Sequence, residues 1–190
     1  MKTFFVWVLF GGLLSLPLMA QDNPKLEVFG GYQFLRIGLW TATPFNAGAF
    51  NGWNAAATAN LSKYFGVEGD FGGAYNYLTI SRASLKIYTY SGGPAVYMSK
   101  GRIKPFVHAL LGGIHLTISE GGPPSISQNG YTVMAGGGVD AKVNRTIAIR
   151  LVQADWLYYN FSNTTVRGAE ILGFSHSNNV RISTGVVLRF

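Results

Sequence analysis

The stretch Ser183-Thr184-Gly185-Val186-Val187-Leu188-Arg189-Phe190 decides the fold. In an extended strand, successive side chains point to opposite faces. Val186, Leu188 and Phe190 therefore share one face, and Ser183, Gly185, Val187 and Arg189 the other. Terminal residues of soluble domains usually fray. Here the alternation runs up to a final aromatic residue, which predicts a terminal strand with one apolar face.

The other end of the sequence has a different pattern. Lys2 precedes an apolar run over residues 4–14, followed by Ser15-Leu16-Pro17-Leu18-Met19-Ala20 and a polar switch at Gln21-Asp22-Asn23. A positive start, a short apolar core and a small residue before a polar break predict a secretory signal peptide over residues 1–20. The apolar run falls short of the roughly 20 residues a spanning helix needs. The mature domain is then expected over 21–190.

Composition narrows the class. The chain is 48% hydrophobic and only 12% charged, against about 25% charged in ordinary soluble domains. After residue 20 no apolar run is long enough for a transmembrane helix. Alternating strands reconcile these facts, because every second residue can face lipid. With no cysteine, disulfides and thiolate metal sites are excluded. The net charge of +7 comes from Lys and Arg scattered over strands and turns. That spread does not make the basic stripe of a nucleic-acid binder and suits attraction to anionic headgroups.

Period-2 alternation bounded by turn residues predicts strands near 26–36, 52–62, 66–77, 85–98, 104–118, 131–143, 147–160 and 179–190. The connections at 63–65, 99–103 and 144–146 are short. Those at 37–51, 79–84, 119–130 and 162–178 are mostly longer and rich in Gly, Pro, Asn and Ser. Eight strands with short turns at one end and long loops at the other describe an all-β, antiparallel, up-and-down transmembrane barrel.

Parity places Glu27, Glu68, Asp70, Asp140, Lys142, Arg150, Arg181 and Arg189 on the face opposite the apolar residues. A lipid-facing Arg or Lys near the midplane costs about 2–4 kcal/mol, so these charges are expected in the lumen, paired with one another. Arg150 and Asp155 have opposite parity, which predicts a β-bulge near Val152-Gln153 that would bring Asp155 into the set. His108 and His115 also differ in parity, so both cannot point inward. Aromatic residues near strand ends (Tyr64, Phe65, Tyr75, Tyr77, Tyr88, Tyr90, Trp156, Tyr158, Tyr159) are expected to form interfacial girdles.

Several segments carry a family resemblance. Glu27-Val-Phe-Gly-Gly-Tyr32 looks like the opening strand of the OmpA-like outer-membrane β-barrels. Asn51-Gly-Trp-Asn54, Lys104-Pro-Phe-Val-His-Ala-Leu-Leu-Gly-Gly113 and Gly136-Gly-Gly-Val-Asp-Ala-Lys142 continue it. The C-terminal Gly185, Val186, Leu188 and Phe190 resemble the signal read by the barrel assembly machinery in that family. The resemblance covers about 26–190. It implies a cell outer-membrane location with lipids and lipopolysaccharide as surroundings, and a structural or surface-interaction role without enzyme activity or cofactor. It also implies a barrel lacking the peptidoglycan-binding domain of longer members.

Three other readings compete. Phe174-Ser-His-Ser-Asn-Asn179 resembles the His-x-Ser-Asn motif of outer-membrane lipid A deacylases, with Asp155 or Glu170 as the available carboxylates. Here, however, Ser177 directly follows His176, so a strand would point the two apart. A narrow pore would need a continuous water path through the lumen charges. A soluble lipocalin-like barrel would have no use for the Phe190 signal. The three histidines lack metal-ligand spacing, and loops 37–51, 119–130 and 162–178 are where a surface ligand would bind.

Overall fold

The computed structural model describes residues 24–38, 48–78, 83–98, 101–120, 126–161, 165–166, 169–170 and 176–190. The expected signal peptide and most of the long-loop residues lie outside them. Eight strands form a closed antiparallel barrel: β1 (Leu26–Ile37), β2 (Ala49–Asn60), β3 (Phe65–Leu78), β4 (Ala83–Tyr97), β5 (Ile103–Glu120), β6 (Ile126–Lys142), β7 (Ile147–Phe161) and β10 (His176–Arg189). Two-residue strands β8 (Thr165–Val166) and β9 (Ala169–Glu170) pair with each other in the segment before β10. Each barrel strand bonds to its neighbours in sequence, and β10 returns to β1, leaving no open edge.

Closure is staggered. Followed once around the barrel from Phe65, the register passes Val96, Val107, Gly137, Ala154, Ile182, Phe34 and Asn51 and returns to β3 at Tyr75, ten residues on (75 − 65). In an eight-stranded barrel such a stagger tilts the strands by about 40° and leaves an interior that side chains can fill.

The surface is inverted relative to a soluble protein. Phe71, Tyr90, Leu111, Val107, Val186 and Leu188 are exposed, while Glu68, Asp70, Asp155 and Arg181 are buried. The apolar belt is flanked at the loop end by Tyr32, Trp53, Tyr75, Tyr88, Tyr131 and Trp156. At the turn end it is flanked by Leu61, Tyr64, Phe65, Met98, Ile103 and Val143. Tyr159 corrects the expectation of a girdle role: it is buried in the lumen against Phe161, because its parity in β7 is inward. The side chain of Tyr77 lies outside the described residues.

Two strand boundaries differ from the sequence reading in an informative way. β2 starts at Ala49 and β6 at Ile126, where residues 49–51 and 126–130 read as loop. Ser127, Gln128 and Asn129 pair with Thr117, Leu116 and His115, so backbone ladder bonds carry the β5–β6 hairpin on through a polar segment. Gly101, just before β5, takes φ 59°, a left-handed conformation that side chains disfavour.

The bulge in β7 falls at Leu151-Val152. Asp140 pairs with Arg150 and Val139 with Val152, and β10 shows the matching shift between Ser183 and Gly185. Leu151 and Val152 are both outward, 53% and 45% exposed. The parity therefore resets, and Arg150 and Asp155 both point inward. Deleting Leu151 leaves Arg150 and Asp155 four residues apart, so both should stay inward in a regular strand without the bulge. The folded band on unboiled gels should therefore persist, and its loss would show that the bulge does more than reset the parity.

Candidate functional site

The lumen is layered along the axis. Toward the loop end Leu35, Phe50, Ile87, Leu110, Ile114 and Leu157 form an apolar layer. Toward the turn end lie smaller clusters around Phe29 and Val187, and around Tyr97 and Phe106. Polar and ionised side chains fill the remaining space.

One network is centred on Arg181 of β10. Its Nη1 lies 2.8 Å from Asp70 Oδ1 on β3, and its Nη2 lies 2.7 Å from Asp155 Oδ2 on β7. Asp155 also accepts from the Nε2 of Gln153 at 2.8 Å, and Asp70 from Asn54 at 2.9 Å. His108 on β5 spans two carboxylates, with Nε2 2.9 Å from Asp155 Oδ1 and Nδ1 2.8 Å from Glu68 Oε1. A neutral imidazole can donate from only one nitrogen. An imidazolium at this position can donate to both carboxylates.

Arg150 extends the network toward the turns. Its Nε lies 2.8 Å from Asp140 Oδ1, its Nη1 donates to Gln153 Oε1 at 2.6 Å, and its guanidinium sits between the Phe29 and Phe106 rings at 4.4 and 4.2 Å. At the turn-end mouth, Glu27 receives Lys104 and, at 3.1 Å, Arg189. Lys142 is half-buried there, at the edge of the lumen. Among the described residues, five buried carboxylates (Glu27, Glu68, Asp70, Asp140, Asp155) thus meet Lys104, Arg150, Arg181, Arg189 and His108.

Parity alone did not reveal Lys104 or His108. Lys104 opens the segment read as strand 104–118 but was given no direction, and His108 carried no sign of direction until the register of β5 was known. Gly136 is a packing requirement of the network: a Cβ there would lie 2.2 Å from Asp155 Oδ1 and 2.5 Å from the Ala154 carbonyl oxygen.

The C-terminal residues complete the seam. Val186 and Leu188 face outward, Gly185 faces inward beneath Phe29, and Phe190 exchanges backbone bonds with Leu26 at 2.8 and 3.2 Å. Of the candidate deacylase motif, Ser177 does not face lipid. Ser177 is 7% exposed in the lumen, where its hydroxyl accepts from the Asn179 amide at 3.1 Å. The side chain of His176 lies outside the described residues. His115 is on the outer surface, bonded to Asn129 and Thr117. No group of three or more His, Asp or Glu among the described residues is placed to hold a metal ion.

Removing one partner of a buried pair costs more than the pair contributes, because the remaining charge stays buried. Arg181→Met should therefore lower unfolding free energy by about 3–5 kcal/mol in urea titrations of the protein in lipid vesicles. A loss below about 1 kcal/mol, the range of exposed pairs, would contradict the network geometry.

No protein-family model matches the chain, and no curated protein matches it. Solved structures do. Neisserial surface protein A is 14% identical with a TM-score of 0.69, covering 90% of this chain and 100% of its own. Ail, the attachment invasion locus protein of Yersinia pestis, is 15% identical with a TM-score of 0.59, covering 88% and 99%; it has also been solved with the heparin analogue sucrose octasulfate. The N-terminal β-barrel domain of Pseudomonas aeruginosa OprF is 10% identical with a TM-score of 0.50, covering 89% and 100%. With its apolar exterior, staggered closure and paired lumen charges, the chain has the fold of the small, OmpA-like eight-stranded barrels of the outer membrane.

Proposed function

We propose that this protein is a non-enzymatic outer-membrane barrel with a structural or surface-interaction role, exported by residues 1–20 and anchored by its strands. The observation that carries this reading is the inverted surface around a filled lumen: apolar side chains face out, and matched charges close the interior. Short turns at 61–64, 98–102 and 143–146 are assigned to the periplasm and the long connections to the cell exterior, following the asymmetry of such barrels. Any surface ligand would then be met by the loops and by the β5–β6 hairpin.

The filled lumen argues against the pore reading, since ion pairs and aromatic rings occupy the cross-section where a water path would have to run. The buried Ser177 removes one of the two groups the lipid A hydrolase reading needs on the lipid face. An exterior of Phe71, Leu111, Val186 and Leu188 argues against a soluble barrel, because exposed apolar surface on that scale associates or meets membrane. We also propose Gly185, Val186, Leu188 and Phe190 as the assembly signal.

The test is fractionation of the full chain expressed in a Gram-negative host. Recovery in the outer membrane with a heat-dependent gel shift is expected, with assembly strongly reduced when Phe190 is deleted. Recovery as a soluble periplasmic protein would overturn the proposal.

A further inference from the structure

The distribution of cations along the barrel axis carries an inference beyond the fold. Every short turn bears Lys or Arg and none bears Asp or Glu: Lys63 in the first, Arg102 in the second, Arg145 in the third. Lys25 precedes β1 at the same end, and all four are exposed. Behind them, Lys104, Lys142 and Arg189 line the lumen mouth. Among the described residues, the side-chain carboxylates of this end are Glu27, which already receives Lys104 and Arg189, and Asp140, which is bidentate to Arg150. The turn end therefore has a surplus of positive charge whatever the partner of Lys142.

The height of these cations is fixed by their neighbours. Lys63 adjoins the exposed Tyr64 and sits 5.4 Å from its ring centroid. Arg102 adjoins the exposed Ile103, and Arg145 lies two residues from both the exposed Val143 and the exposed Ile147. Apolar side chains at the edge of a lipid belt mark the hydrocarbon boundary, and a long cationic side chain beside them reaches the headgroup layer. The mouth depression lined by Lys63, Lys104, Lys142 and Arg189 measures about 10 Å³. That is room for about one water-sized group, enough for a single phosphate oxygen but not for an enclosed ion.

We propose that the turn end is an anion-binding rim that holds the phosphates of anionic phospholipids in the adjoining leaflet. It rests on the membrane-barrel reading above. Lys63, Arg102 and Arg145 engage headgroups around the circumference, and the mouth cations take a phosphate oxygen from the axial side. The interaction is electrostatic and lies at the surface, so salt weakens it.

The experiment compares the refolded full chain in phosphatidylcholine vesicles with and without phosphatidylglycerol of the same acyl composition, reading the midpoint of heat-induced gel-mobility loss. The heat shift in phosphatidylcholine alone establishes the barrel independently of the rim. Phosphatidylglycerol should raise the midpoint by about 5 °C, and salt near 1 M should abolish the rise. The K63Q/R102Q/R145Q variant should keep its phosphatidylcholine midpoint and lose most of the rise. A variant of the outward cations at the loop end, R36Q/K86Q, should keep it. The proposal is overturned by equal midpoints in the two lipids, by an undiminished rise in the triple variant, or by loss of the rise in R36Q/K86Q. An equal rise when inorganic phosphate is added to phosphatidylcholine vesicles would overturn the lipid as the source of the anion.

Discussion

The charged lumen is the constraint on which the rest of the structure depends. A lipid-facing exterior leaves ionised side chains only two places, the lumen and the rims, and a barrel of eight strands is too narrow to hydrate what it encloses. Each buried charge must then find its partner inside the barrel, on a neighbouring strand or across the lumen. Arg181 on β10 reaches Asp70 on β3 and Asp155 on β7, while His108 on β5 joins Asp155 to Glu68 on β3. Arg181 and Asp155 are register partners on neighbouring strands, whereas the other three links tie together strands that share no ladder. Buried ion pairs often contribute little net stability against an apolar replacement. Here they select one register, because a slip of a single residue on any linked strand would send its charge into lipid.

Other features serve this arrangement. The bulge at Leu151-Val152 adjusts one strand so that Arg150 and Asp155 both face inward. Gly136 gives up its side chain to make room for the Asp155 carboxylate. The apolar layer around Leu110 and Leu157 lies between the network and the loop end, and the Phe29 and Phe106 rings enclose Arg150 nearer the turns. The lumen is thus a small protein core with a polar centre, and the outward side chains form a second, lipid-facing surface around it.

Much of this was legible in the sequence for one reason: period-2 alternation has only two phases, so a strand with one charged residue and several apolar ones declares its orientation. The last strand illustrates it, with Arg181 and Arg189 opposite Ile182, Val186 and Leu188. Even the bulge was readable, as a conflict between the parities of Arg150 and Asp155. What the sequence did not carry was who meets whom. Pairings such as Lys104 with Glu27, 77 residues apart, arise from the stagger of closure, which no single strand encodes. Tyr159 was misread because proximity to a strand end suggested a girdle, whereas its parity, shifted by the bulge upstream, was inward. The polar segment before Tyr131 read as loop because composition does not reveal ladder bonds made by the backbone.

The central claim is that the matched charges form a solid plug, and planar-bilayer recording tests it most directly. The purified, refolded barrel should insert without discrete ohmic current steps, since the ion pairs and rings leave no continuous water path. Stable, reproducible steps from the unaltered protein would contradict the account and restore the pore reading.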